Sequence, residues 1–123
     1  MNCLTHMKKR TISLFFVATL SGCATPPITY APMPEQHYDN HALMTAKADL
    51  CLYAGLQTPR SYADYTAARD YTLSTWEVDF TKLAAKHKEI MDYAKVENMQ
   101  PTEQECKVVL AEQYQLINSV SSH

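Results

Sequence analysis

Glycine is almost absent from this chain: only Gly22 and Gly55 occur in 123 residues. A loop that cradles phosphate needs glycines to bring its backbone close to the anion, so no nucleotide-binding loop is expected. No GxSxG, HExxH or CxxC pattern occurs either. The usual nucleophile elbow, helical zinc pair and redox dithiol are therefore missing. Basic residues do not cluster beyond Lys8-Lys9-Arg10, and thirteen acids face eleven bases. Nucleic-acid binding needs basic patches, so no nucleic-acid partner is expected. The apolar run Thr11 to Leu20 has ten residues, where about twenty are needed to cross a bilayer, and no second run exists. Alternating apolar and polar residues, the mark of a half-buried strand, are also missing at useful length, and there are no internal repeats.

What is present begins at the amino end. Lys8-Lys9-Arg10, the apolar run and the small residues Ser21 and Gly22 form a secretory signal, with Met1 and Met7 both candidate starts. The run closes on Leu20-Ser21-Gly22-Cys23. This order resembles the lipobox of bacterial lipoproteins cut by signal peptidase II. The resemblance implies that residues 1–22 are removed, that Cys23 takes a diacylglycerol and that its new amino end is acylated. Several acyl chains hold a membrane far better than one. Ala24 follows the Cys; in such lipoproteins the lack of Asp there suggests the outer membrane, on its periplasmic face. Processing removes three bases and leaves a net charge of −5, counting His as neutral.

Two cysteines then remain, Cys51 and Cys106, in an oxidising compartment. One disulfide is expected.

Residues 23–39 hold Pro26, Pro27, Pro32 and Pro34 without periodicity, which reads as an extended tether. From Asn40 the pattern turns helical, with Leu43, Ala46, Leu50 and Ala54 at steps of three and four. Gly55 stands where a helix C′ residue belongs, and Thr58-Pro59 offers the next N-cap and first-turn Pro. A second helix is expected to about Tyr71. Ser74 and Glu77 have the spacing of a capping box for a third, with Trp76, Phe80, Leu83, His87, Ile90 and Ala94 as its apolar stripe. Asn98 to Pro101 breaks that stripe, and Thr102 and Glu105 form another capping box. The last helix presents Cys106, Val109, Leu110, Leu116 and Ile117, and residues 119–123 form a tail. The expected fold is all-α: a four-helix bundle over residues 40–118 whose disulfide joins the first and last helices.

Candidate chemistry is thin. His37 and His41 are four apart with Asp39 between them, but they lie at the end of the tether and read as solvated. His87 reads as a core or boundary residue of its stripe. Glu77 and Asp79 would face different sides of a helix, and Lys82, Lys86, Lys88, Glu89 and Asp92 read as a solvated face. No catalysis, metal or diffusible cofactor is expected; the one covalent group is the lipid on Cys23. Tyr53, Tyr62, Tyr65, Tyr71, Tyr93 and Tyr114 are many for a small domain, and tyrosine suits both core rims and contact surfaces.

Cys51, an Ala-rich helix, Trp76 with Glu77, a long helix, then Pro101 shortly before Cys106 make an order similar to the PulS/OutS family of type II secretion pilotins. The likeness spans residues 43–117. Ser74-Thr75 stands where that family often has Arg-Gly, and Leu52 where it often has Asn. The resemblance implies a helical domain that binds the disordered C-terminal tail of a secretin as a helix. Its lipid anchor then carries the secretin to the outer membrane through the lipoprotein-sorting machinery. The expected contact residues are Leu43, Leu50, Tyr53, Tyr62, Tyr65 and Leu116. The alternative class is a structural or accessory outer-membrane lipoprotein that binds another periplasmic protein.

Overall fold

The structure is a computed structural model that describes residues 27–122. The expected signal peptide, Cys23 and the first residues of the expected tether lie outside the described residues. Four helices follow in order: α1 (Glu35–Tyr53), α2 (Pro59–Leu73), α3 (Phe80–Val96) and α4 (Glu103–Ser121). The all-α fold and its four helices stand as expected. α4 runs on to Ser121, past the expected boundary at 118.

α1 is the centre of the packing. It lies against each of the other three helices, and α2 also packs on α4. α3 has a helix–helix seam with α1 alone. The directions alternate, because the start of α1 faces the start of α3 through Glu35 and Lys82, while the ends of both meet around Leu50, Tyr53, Met91 and Asn98. Between its ends α1 buries Ala42, Ala46 and Ala48, small side chains on a helix that packs against three others.

The ends are fixed by local chemistry. Ala54 caps α1, and Gly55 follows at φ 72°, a left-handed conformation that costs a residue with a Cβ about 1 kcal/mol or more. The Gly55 amide donates to Leu52 and the Leu56 amide to Cys51, which completes a Schellman stop. Leu56 then packs on Cys51, Cys106 and Val109, the apolar contact that accompanies this motif. Asn98 does the same work after α3 at φ 50°, with Met99 donating to Ala94. Thr58 and Pro59 open α2, and Thr102 with Glu105 forms the expected capping box of α4.

Two expectations are corrected. The tether does not extend to residue 39. Pro34 takes the extended N-cap conformation and α1 starts at Glu35. Just before it, the Met33 amide donates to Glu77 and the Glu77 amide to Ala31, at 3.0 and 2.8 Å. Met33 and Tyr38 are buried against Leu73, Trp76, Val78 and Leu83. Isolated apolar residues among prolines carry no period, so their burial left no trace in the pattern.

The second correction concerns Ser74 and Glu77, which form no capping box. Ser74 ends α2 instead. The backbone of Glu77 is held extended by its pairing with residues 31 and 33, so no helix can begin there. Asp79 is the N-cap, accepting from the Lys82 amide at 3.1 Å. Trp76 therefore lies outside the α3 stripe. Its ring stands 5.4 Å from that of His37.

Cys51 and Cys106 form the expected disulfide, with their Cα atoms 5.8 Å apart. It ties the last turn of α1 to the first turn of α4. Where the α1–α2 link meets α4 the buried amides of Gln57 and Gln113 pair reciprocally, at 2.6 and 3.2 Å. Among the described residues no buried side-chain nitrogen or oxygen lacks a partner.

Candidate interaction clefts

Because α3 meets only α1, a furrow runs along each of its sides. The first is walled by α3 and α4 and floored by α1. Leu50, Tyr53, Met91, Met99 and Pro101 line its α3 side. Leu50, Cys51, Val108 and Val109 line the side against α4, a cleft of about 500 Å³. Tyr53 is 76% exposed and Met99 50%. Charge is confined to Lys47, Glu105, Asp92 and Lys95 among the lining residues. The disulfide therefore forms part of an apolar floor open to solvent at the end of the bundle.

The second furrow lies between α2 and α3, about 480 Å³ in volume. Its floor is polar at one place. Asp49 on α1 is buried and accepts two bonds of 2.6 Å, from the Tyr62 hydroxyl on α2 and from His87 Nε2 on α3. Three helices are thus joined through one carboxylate. Burial, and then the bond to Asp49, push the Tyr62 hydroxyl up to about 12, so it remains a donor at any physiological pH. His41, which also lines this furrow, is held below its ordinary pKa by burial and then by the charges of His37 and Arg69.

Besides the packing of Leu83 on Met33, Tyr38 and Leu73, α3 is attached by charge. Lys82 bonds Glu35, and Lys86 reaches Glu35 at 3.0 Å and Asp39 at 2.7 Å. The lysine row read as a solvated face is in fact turned toward the acids of α1. Its bonds, first with Lys82 and then with Lys86, hold Glu35 below the usual carboxylate range. Exposed pairs of this type hold weakly and are screened by salt. Lys88 and Asp92 do form a solvated pair within α3.

The six expected contact residues do not share one furrow. Leu50 and Tyr53 line the first. Leu43 is 44% exposed two turns before Leu50, on the same face of α1. Tyr62 lines the second furrow. Leu116 is half-buried on α4. Tyr65 is fully buried, with its hydroxyl 2.9 Å from Thr45 Oγ1, and belongs to the core. The expected contact set leaves out Met99, which the sequence offers as either a gap filler or groove lining, and the sequence reading missed Pro101 and Val108.

His37 and His41 sit on α1 and are both half-buried, not solvated on a tether. Glu77 and Asp79 precede α3 rather than facing opposite sides of it. Among the described residues no three His, Cys, Asp or Glu side chains gather in a way that would hold a metal ion. No family model matches the chain, and neither a curated protein nor a solved structure matches it.

Proposed function

We propose that this protein is a lipid-anchored pilotin, a carrier that binds the C-terminal tail of a type II secretion secretin and takes it to the outer membrane. One observation carries the reading: the apolar cleft between α1, the α3–α4 link and α4, lined by Leu50, Met99, Pro101, Val108 and Val109. An amphipathic helix can lay its apolar face into such a cleft. A disordered tail loses conformational entropy as it folds, and burial of apolar surface must offset that loss. The aliphatic lining with few charges suits this requirement.

The geometry of the tether fits a carrier. Backbone pairing begins at Ala31, so the eight steps from Cys23 span at most about 29 Å. α1 then runs nineteen residues, about 28 Å, from the tethered end toward the disulfide. The cleft opens at that far end. The domain would stay close to the membrane while its cleft faces the periplasm.

Cys23→Ser tests the carrier role in cells that hold the cognate secretin. The variant is expected to leave the membrane fraction, and the secretin subunit to fail to reach the outer membrane. Unchanged partitioning of the variant would refute lipidation. A released variant beside a correctly placed secretin would refute the carrier role.

A further inference from the structure

α3 differs from the other helices in how it is held. It lies on α1 alone, and of its seventeen residues only Ala94 is buried. Phe80, Tyr93 and Val96 point to solvent, 63%, 62% and 81% exposed. Its polar links to α1 are the ion pairs of Lys82 and Lys86 with Glu35 and Asp39 and the bond between His87 and Asp49, while Leu83 packs on Met33, Tyr38 and Leu73.

Both of its ends, by contrast, are fastened. The Asp79 amide donates to the Tyr38 hydroxyl at 2.8 Å, and Glu77 pairs with residues 31 and 33. Beyond its other end the disulfide fixes Cys106 of α4 to Cys51.

We infer that α3 is a strap: it lifts from α1 as one unit while the segments flanking it stay attached, and the polar contacts of its first half are the latch. Units with few buried contacts and exposed bonds open well below the free energy of global unfolding. The fastened ends limit the travel, so opening widens the furrows beside α3 without releasing the helix. The latch has two parts. Lys82 and Lys86 face Glu35 and Asp39 at the rim, where salt screens them. His87 meets Asp49 deeper in, and there Asp49 also holds Tyr62 of α2. Lifting α3 breaks the second link but leaves Asp49 its bond to Tyr62, so the carboxylate is not stranded. As one wall of the furrow that continues into the proposed docking cleft, the strap would regulate entry to it; that consequence rests on the pilotin reading, whereas the lifting does not.

Hydrogen exchange on the free mature protein, read by mass spectrometry, tests the strap. Amides of α3 are expected to exchange at least about tenfold faster than those of α1 and α4, a gap of about 1.4 kcal/mol in opening free energy. Raising salt from about 0.05 M to about 1 M, where the screening length falls to about 3 Å, should speed α3 several-fold more and leave α1 unchanged. The surface double variant Lys82→Gln with Lys86→Gln should reproduce the salt effect at low salt. Asp49→Asn should speed α3 as well, and the double variant keeps the test valid if Asp49→Asn does not fold. Equal exchange in all four helices would overturn the inference. So would fast exchange of α3 that neither salt nor the lysine changes affect. Adding a peptide of the secretin tail separates the two proposals: if α3 lifts as described but the peptide never slows it, the strap stands and the partner assignment falls.

Discussion

Replacing Cys51 and Cys106 together by serine is expected to lower the stability of the domain by about 4 kcal/mol. The bond closes a loop of 55 residues, and the chain-entropy relation gives that figure for such a loop. A domain of this size has about 5–15 kcal/mol in total, so the loss is a large share. The melting temperature should fall by about 15–30 °C, at the 4–8 °C per kcal/mol usual for small domains. Location adds to the effect. Cys51 and Cys106 are 1% exposed and form the apolar cluster at one end of the bundle with Val109 and Leu56. Serine hydroxyls placed there would need partners among aliphatic neighbours. Chemical denaturation followed by circular dichroism measures the loss. A change under about 1 kcal/mol would mean that packing of α1 on α4 suffices without the bond.

Tyr65→Ala should cost about 3–5 kcal/mol, the usual range for deleting a fully buried aromatic ring. Tyr65 is the largest fully buried side chain, enclosed where α2 meets α1. Tyr65→Phe keeps the ring and loses only the bond with Thr45, so about 1 kcal/mol is expected. The contrast separates a core role from a contact role. A tyrosine on a free surface would change stability by less than about 0.5 kcal/mol when truncated. Equal, small losses in both variants would return Tyr65 to the contact surface.

The helices were legible because their signals are local. Gly55 at the end of α1, Thr58-Pro59 before α2, and Thr102 with Glu105 before α4 each act within a turn of their own position. The disulfide followed from the expected processing, which would leave only two thiols. Long-range pairing was not legible. Glu77 has the right spacing to cap a helix from Ser74, yet residues 31 and 33 hold it extended. That pairing spans more than forty residues and involves only the backbone, so no side-chain pattern announces it. Met33 entered the core by the same route.

The polar centre was half legible. His87 was visible as a polar interruption in the stripe of α3. Asp49 interrupts the buried face of α1 in the same way, two turns after Ala42 and one after Ala46. Two titratable residues on two apolar faces are the signal that could have paired them. The lysine row of α3 misled for a different reason. A charged face looks solvated until the acids of another helix are known to lie opposite. Among the expected contact residues, Leu50 and Tyr53 were placed correctly because they follow the stripe of α1 into the cleft. Met99, Pro101 and Val108 come from the link between α3 and α4 and from α4 itself, where only the packed chain brings them to Leu50.

Titration of the purified mature protein with a labelled peptide of the cognate secretin C-terminal tail tests the pilotin reading most directly. Saturable binding is expected with a dissociation constant of about 1–10 μM or tighter, near −7 to −8 kcal/mol. The peptide should gain helical circular dichroism as it binds. Met99→Glu and Val108→Glu, each placing a charge in the cleft between α1, the α3–α4 link and α4, should weaken binding at least about a hundredfold, while an exposed charge-neutral change on α2, Ala67→Ser, should leave it unchanged. No binding at micromolar peptide, or binding that Met99→Glu and Val108→Glu leave intact, would contradict the assignment.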